Sequence, residues 1–208
     1  MHARLSRFMG LGPERVAQLV EAYREGDYVG EVAGRTGFAG YVVAEDPLGG
    51  RLMAMSVWDD AGAMAASDDI ADSQRAQRIA DSKPARHPHV GRFEIAVRRG
   101  EPGEQRFIRV SRLSGLAPHA VRTLVAAYEE TDYLEHLAAY DGFAGYLLLT
   151  AEDEVLAMSF WMSQEDRGAS DEMAAAARAL RIKASRPEDE PVVERYEVAL
   201  LRRPHALA

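Results

Sequence analysis

The first pattern along the chain is a stripe of apolar residues at helical spacing. Pro13, a residue typical of the first turn of a helix, comes just before it. Four large apolar residues then follow one another at i, i+3, i+4 and i+7: Val16, Leu19, Val20 and Tyr23. This pattern predicts an amphipathic helix that begins near Pro13 and turns its apolar face towards a core.

Three strands are predicted around this helix. Residues 3–8, before it, are short and mix apolar with polar positions. Residues 38–43 and 51–58, after it, are rich in aromatic and β-branched residues, which favour strands. A turn at residues 46–50 separates the last two runs and predicts that they form a hairpin.

A second helix and a fourth strand complete the pattern. Ser67, followed by two acids, predicts a helix start, because acidic side chains are favourable near the positive end of the helix dipole. Residues 91–98 then alternate apolar and polar positions, as a strand with one buried face does.

The whole pattern returns in the second half of the chain. Gly-Phe-Ala-Gly-Tyr occupies residues 37–41 and again residues 142–146, and each copy precedes a strand ending in Trp58 or Trp161. The helical stripe is reproduced by Val121, Leu124, Val125 and Tyr128. In the second copy, Ser163 also predicts a cap for the turn before the second helix. The chain is therefore predicted to be a duplication.

The repeats set the predicted domain boundaries. A polar stretch containing glycine and proline at residues 100–106 predicts a linker. It joins a repeat at residues 1–99 to a second at residues 107–208.

The element order βαββαβ predicts an α+β fold of two ferredoxin-like repeats. Both faces of the predicted strand ending at Trp58 are largely apolar, so both should be covered. We predict that the two repeats pack sheet to sheet as an intramolecular α+β barrel. In the repeated pentapeptide we expect the Phe and Tyr side chains to line opposite faces of the sheet.

Composition and charge narrow the range of partners and sites that the chain can have. The 208 residues carry a formal net charge of −8 with acids and bases interspersed, which disfavours nucleic-acid and membrane partners. The chain has no cysteine, so disulfides and thiolate metal sites are excluded. No apolar run is long enough to span a membrane, and we predict a cytoplasmic protein.

The repeated pentapeptide, the hairpin ending in tryptophan and the acid-started helix after it resemble the antibiotic-biosynthesis-monooxygenase-like (ABM-like) domains of the dimeric α+β barrel superfamily. The resemblance covers nearly the whole chain, once per repeat. It implies a barrel with a small-molecule pocket between sheet and helices in each half. Some members are cofactor-free oxygenases that convert polycyclic phenols to quinones, some degrade haem, and many have no assigned activity.

The resemblance also implies site residues. The tryptophan of the family maps to Trp58 and Trp161, and an arginine on the following helix of the quinone-forming members maps to Arg78 and Arg181. The asparagine that those members carry four positions before the tryptophan is replaced by alanine in both copies. The histidine that haem-degrading members carry on the same helix is absent from both, so haem degradation is the weaker prediction.

Differences between the repeats suggest further candidates. His136 stands where the first copy has a glutamate, at the predicted end of the first helix, and Tyr140 replaces Arg35. With Tyr133 nearby, His136 and Tyr140 could move protons, and a solvated helix end is the alternative. Arginines recur on the second helix as Arg75, Arg78, Arg178 and Arg181. For any one of these arginines we favour an exposed position without function.

We therefore predict a protein that binds a small aromatic or polyketide-like molecule. The predicted catalytic residues are His136, Tyr140 and Arg181, and the predicted ligand-binding residues are Trp58, Trp161, Arg78, Tyr133 and Arg35. No metal and no cofactor is predicted, and the pair at His87 and His89 lacks a third ligand. The activity is either a cofactor-independent monooxygenase or a non-catalytic ligand-binding or stress-associated module, and self-association beyond the internal pairing stays open.

Overall fold

The computed structural model describes residues 1–100 and 105–203; residues 101–104, which belong to the predicted linker, and residues 204–208 lie outside the described residues. The first repeat contains β1 (His2–Met9), α1 (Pro13–Glu25), α2 (Tyr28–Ala33), β2 (Phe38–Asp46), β3 (Arg51–Trp58), α3 (Ala61–Ala65), α4 (Asp68–Ser82) and β4 (His89–Arg99). The second contains β5 (Phe107–Leu113), α5 (Pro118–Glu129), α6 (Tyr133–Ala138), β6 (Phe143–Thr150), β7 (Val155–Trp161), α7 (Gln164–Ala169), α8 (Asp171–Ser185) and β8 (Val192–Arg202).

The predicted α+β fold is confirmed. Each repeat has the order βαββαβ, with the short helices α2 and α3, or α6 and α7, added to it. The strands are hydrogen-bonded in the order β1-β3-β2-β8-β5-β7-β6-β4, which closes a barrel.

The chain divides into two compact units. Unit 1 contains Met1–Phe93 and the chain from Glu197, and unit 2 contains Glu94–Tyr196. Both divisions fall inside a strand, so β4 and β8 each contribute residues to both units. Within unit 1 the end of β8 pairs with β2, and within unit 2 the end of β4 pairs with β6. The repeat boundaries given above, at residues 99 and 107, stay a prediction.

The helix predicted from the first apolar stripe is present in both units. α1 begins at Pro13, as predicted, and α5 begins at Pro118. The stripe of α1 is buried at all four positions, and Tyr23 ends it. Val121, Leu124 and Tyr128 are the corresponding buried residues of α5, and Val125 is half-buried. Each stripe packs on one face of its sheet, where it builds the core of its unit.

The prediction that the Phe and Tyr of the pentapeptide line opposite faces of the sheet is wrong. Phe38 and Tyr41 both belong to the core on the helix-covered face of unit 1. The reason is a bulge: Phe38 pairs with Trp58, but Gly40 pairs with Val57, so one extra residue interrupts the alternation. β6 has the same irregularity between Phe143 and Gly145.

The first glycine of the pentapeptide is required by backbone and packing together. Gly37 has φ +79°, and a Cβ added to it would lie 2.6 Å from the Cβ of Ala63 in α3. Gly142 has φ +68°, and a Cβ added to it would collide with a carboxylate oxygen of Asp166. A left-handed conformation and a close approach of the next helix both favour glycine here.

The predictions for the helix starts are confirmed only in part. Ser163 accepts a hydrogen bond from the backbone nitrogen of Asp166 and caps α7, as predicted. Ser67 precedes α4, but its hydroxyl donates to the carbonyl of Met64 instead of capping the helix. His136 is not at the end of the first helix, because residues 133–138 form the separate helix α6.

Candidate functional site

A small cavity lies between the sheet and the helices of unit 2. Strands β5, β6 and β7 form its floor, and α5, α6 and α8 form its roof. Its lining is made of arginine, tyrosine, serine and small apolar side chains: Arg109, Ser111, Leu113, Tyr128, Tyr133, Tyr146, Val155, Ala157, Ser159, Ala174, Arg178 and Arg181.

Two periodicities bring this lining together. Alternate residues of a strand share a face, which places Arg109, Ser111 and Leu113 of β5 on the helix-facing side. On α8, Ala174, Arg178 and Arg181 recur at i, i+4 and i+7 and share the face that looks down on the sheet. The cavity therefore joins a polar stripe of the sheet to the inner face of the helix.

The cavity in this state is water-sized. The centre of a water-sized sphere can occupy about 20 Å³ of it, and a volume of roughly 10–15 Å³ on this measure holds one water molecule. The cavity thus admits a single small polar group, and a fused ring would have to displace side chains or remain at its mouth.

Positive charge dominates the lining of the unit 2 cavity. Arg109 is 3 % exposed, forms an ion pair of 2.8 Å with Asp171 and donates to the hydroxyl of Ser170 at 2.9 Å. Arg178 donates to Ser111 at 3.4 Å. Among the described residues, neither Arg178 nor Arg181 has a carboxylate at ion-pair distance.

Tyrosine rings, rather than acids, surround Arg181. Its guanidinium carbon lies 3.7 Å from the ring centroid of Tyr128 and 4.3 Å from that of Tyr133, which is cation–π geometry. The rings of Tyr128 and Tyr146 are 5.7 Å apart. Burial raises the pKa of all three tyrosines, most strongly that of Tyr146, although the positive charge of Arg181 opposes this rise. Their hydroxyls therefore stay protonated at neutral pH.

Unit 1 contains an equivalent but smaller cavity of about 10 Å³ by the same measure. Its lining repeats the same residue types: Arg4, Ser6, Tyr23, Tyr28, Tyr41, Ala54, Ser56, Ala71, Arg75 and Arg78. Arg4 pairs with Asp68 at 3.2 Å and Arg75 with Asp72 at 2.7 Å. Arg78 stacks on Tyr23 at 3.9 Å, and its Nε is buried without a hydrogen-bond partner among the described residues.

Three of the residues predicted from the sequence line these cavities. Arg181 and Tyr133 meet in unit 2, and Arg78 lines the cavity of unit 1. The exposed positions that we favoured for the helix arginines are wrong for two of them, because Arg78 is 5 % exposed and Arg181 is 9 % exposed. Stacking on tyrosine rings lets the guanidinium enter the interior.

The other predicted residues are not part of the cavity linings. Trp58 and Trp161 are fully buried in the cores, where each indole nitrogen donates to the serine two residues before it at 2.9 Å. Tyr140 is half-buried and meets Trp161 edge to face, with ring centroids 6.4 Å apart. His136 and Arg35 are exposed and outside both linings.

Several lining residues were missed in the sequence analysis. The repeat carried a signal for them: Arg4 and Arg109 occupy equivalent strand positions, as do the lining serines. Tyr41 and Tyr146, which close the pentapeptide, both line a cavity. A polar residue repeated at a strand position between apolar residues is the pattern that would have indicated them.

Two negative findings apply to residues 1–100 and 105–203. No three His, Cys, Asp or Glu side chains gather there in a way that could hold a metal ion. His89, one of the two histidines weighed for a metal, contacts Arg7 through its Nδ1 at 3.0 Å. None of the helices in the same part of the chain is long and apolar enough to cross a membrane.

No protein-family model and no curated protein sequence matches the chain. Solved structures match it over almost its full length. An anthrone oxidase-like protein is similar over 99% of this chain and 94% of its own, with 15% identity and a TM-score of 0.74. A candidate monooxygenase from Fusobacterium nucleatum subsp. nucleatum matches over 97% and 94%, with 10% identity and a TM-score of 0.72. Another, from Lactobacillus acidophilus NCFM, matches over 98% and 96%, with 11% identity and a TM-score of 0.68. At these identities the likeness shows the fold.

Proposed function

We propose that this chain, which has the fold of tandem ABM-like domains, binds a small aromatic or polyketide-like molecule at the helix-facing cavity of unit 2. The observation that carries the proposal is the lining, in which three arginines and three tyrosines converge. Guanidinium groups and protonated hydroxyls donate hydrogen bonds, and aromatic rings supply flat apolar walls. Such a lining suits an oxygen atom attached to an aromatic ring.

The lining also indicates the state in which the molecule binds. None of the residues lining the described cavity is a carboxylate or a histidine, and burial keeps the tyrosines protonated. The cavity therefore offers donors and positive charge but no base at neutral pH. A phenol or enol that ionises readily fits it better than one that must be deprotonated there.

The activity to test first is a cofactor-independent oxygenation. In that reaction an ionised phenol gives electrons directly to dioxygen. One oxygen atom replaces hydrogen on a ring carbon, and the other leaves as water with the two hydrogens lost by the phenol, so no outside reductant is needed. Arg181, stacked on Tyr128 and Tyr133, would stabilise the phenolate and the charge that develops on oxygen.

Other roles predicted from the sequence stay predictions. His136 and Tyr140 do not line the cavity, so proton transfer through either would need the substrate to extend beyond the lining. A substrate that is already ionised would not require it. Haem is a poor fit, because no histidine is present in the lining of either described cavity to bind its iron.

The experiment uses purified protein, dioxygen and a panel of hydroxylated naphthalenes and anthracenes. We expect at least one of them to bind by calorimetry and to consume oxygen while quinone absorbance rises, and we expect Arg181→Met to reduce both signals. If no compound binds and no oxygen is consumed, the proposal is wrong.

The size of the cavity favours a second candidate, a ligand-binding module without catalysis. A volume of about 20 Å³ leaves no room for a ring and dioxygen together in this state. Binding without oxygen uptake, for every member of the panel, would establish the second candidate over the first.

A further inference from the structure

The two cavities have the same three arginines but differ in one acid. In unit 1, Asp72 on the outer side of α4 pairs with Arg75 three residues later, at 2.7 Å. The corresponding positions of α8 are Ala175 and Arg178. Ala175 is exposed, so an acid at this position would fit without displacing another side chain.

The missing acid leaves Arg178 of unit 2 without a negative partner, and Arg181, like Arg78 of unit 1, has no carboxylate partner among the described residues. Arg178 has one hydrogen bond, to Ser111 at 3.4 Å, and Arg181 is stacked on tyrosine rings, while no carboxylate among the described residues lies at ion-pair distance from either. Burial, and then the positive charge of Arg109, lower the pKa of Arg178. Arg181 is buried and Arg178 is half-buried. A buried charge without a partner is costly, and an incoming anion would remove part of that cost.

A third arginine has a donor to spare. Nη1 of Arg109 makes the ion pair with Asp171, whereas its Nη2 is buried without a hydrogen-bond partner among the described residues. The cavity of unit 2 therefore combines two uncompensated charges with an unused donor. Within the described part of the chain, the cavity of unit 1 also has unused donors, at the Nε atoms of Arg4, Arg75 and Arg78, and differs because Arg75 is paired with Asp72.

We propose that Arg178 and Arg181 form a binding site for the anionic oxygen group of an aromatic carboxylate or ionised phenol, and that Ala175 in place of Asp72 makes unit 2 the site that takes it. This inference rests on the proposed function, because it names the charge of the ligand and the unit that binds it. A carboxylate with its two oxygens can accept hydrogen bonds from two guanidinium groups at once. It is also a group small enough for the described cavity, with the ring left at the mouth.

Position 175 is then the residue that sets which unit binds the anion. An acid three residues before an arginine lies on the same side of a helix and pairs with it, as Asp72 does with Arg75. An aspartate at position 175 would thus occupy Arg178 with an internal partner. Removal of the acid from position 72 would free Arg75 in the same way.

The experiment measures the binding of 1-naphthoate and of its neutral counterpart 1-naphthamide by isothermal titration calorimetry. The full chain is compared with Ala175→Asp, with the uncharged control Ala175→Asn, and with Asp72→Asn. We expect one equivalent of 1-naphthoate to bind about tenfold more tightly than 1-naphthamide, a preference worth about 1.4 kcal/mol. Ala175→Asp should lose this preference, Ala175→Asn should keep it, and Asp72→Asn should bind a second equivalent.

The outcomes separate this inference from the proposed function. If both compounds bind equally, or if Ala175→Asp and Ala175→Asn behave alike, the charge selection is wrong although the proposed function stands. If 1-naphthoate does not bind, the inference is wrong. The phenol panel then decides the proposed function by itself.

Discussion

Units 1 and 2 are alike in their cores and different in the charge of their cavities. Both cores contain a fully buried tryptophan at the end of a central strand, and each of these indoles donates to a serine at 2.9 Å. Both cavities contain an arginine stacked on two tyrosines. Only unit 1 neutralises the neighbouring helix arginine, through Asp72. A duplicated fold can therefore keep its packing while one exposed acid, outside the core, makes the charges of the two cavities different.

The largest effect should come from the cores, and it should be equal in the two units. Replacement of a fully buried tryptophan by alanine removes its packing and leaves a cavity, at a cost of about 3–5 kcal/mol. We expect Trp58→Ala and Trp161→Ala to lower the free energy of unfolding by similar amounts, measured by urea denaturation.

Trp58→Phe and Trp161→Phe are the matched controls, because they keep most of the ring and remove the indole N–H. Strongly unequal losses of unfolding free energy in the two units would contradict the equivalence of the two cores. A loss of ligand affinity in Trp161→Phe with unfolding free energy retained would support the ligand-binding role predicted for this tryptophan.

The next effect should be confined to unit 2. Arg181→Met keeps an unbranched side chain over the tyrosine rings but removes the charge. We expect it to weaken the binding of 1-naphthoate by about 2 kcal/mol or more, roughly 30-fold, as the loss of a buried charged hydrogen-bond partner does. Arg78→Met in unit 1 should leave the affinity within about twofold in the same calorimetric titration. Equal losses in both variants would contradict the assignment of the site to unit 2.

Much of the fold could be predicted from the sequence, but the local patterns do not show the strand bulge or the short helices. The helix at Pro13 and the strand at residues 51–58 are confirmed, because long apolar periodicities survive in the packed structure. The bulge after Phe38 could not be predicted from the alternation of apolar and polar residues. One extra residue in the strand moves the side chains that follow to the other face of the sheet, and the residue types do not reveal it. α2 and α6 have six residues each, too few to show a helical period.

The candidate site was harder to predict than the fold, for an electrostatic reason. Amphipathic patterns count arginine as polar and place it outside, whereas Arg78 and Arg181 are held inside by tyrosines that come from other elements. That contact joins residues about 50 positions apart, such as Tyr128 and Arg181, and no local window contains both. Asp72, the partner of Arg75, lies three residues before it in the sequence, but its importance depends on the cavity that Arg75 lines.

A smaller effect should appear at alkaline pH in both units. Burial raises the pKa of Tyr41 and of Tyr146 well above the ordinary value of 10.0. Above pH 10 the unfolded chain releases these protons while the folded chain keeps them, so the stability present below that pH is lost as pH rises towards the folded-state pKa. The expected loss is about 1.4 kcal/mol per pH unit for each tyrosine.

Urea denaturation at pH 9 and pH 11 measures this loss. Tyr41→Phe and Tyr146→Phe should each remove part of the pH dependence, by similar amounts. A variant in which the slope is unchanged would show that its tyrosine does not have the raised pKa.

The smallest effect is expected at His136. Its side chain is exposed on α6 and outside the lining of the unit 2 cavity. We expect His136→Ala to change 1-naphthoate affinity, and the oxygen uptake with any active phenol, by less than about twofold, because distant exposed sites contribute independently. A large loss of turnover with unchanged affinity would instead support the proton-transfer role predicted from the sequence.

A crystal structure of the protein soaked with 1-naphthoate would show directly which unit binds the anion. We expect the carboxylate to lie in unit 2, within hydrogen-bond distance of both Arg178 and Arg181, with the ring at the mouth of the cavity. A carboxylate bound beside Arg75 and Arg78 in unit 1, with the cavity of unit 2 empty, would contradict this expectation.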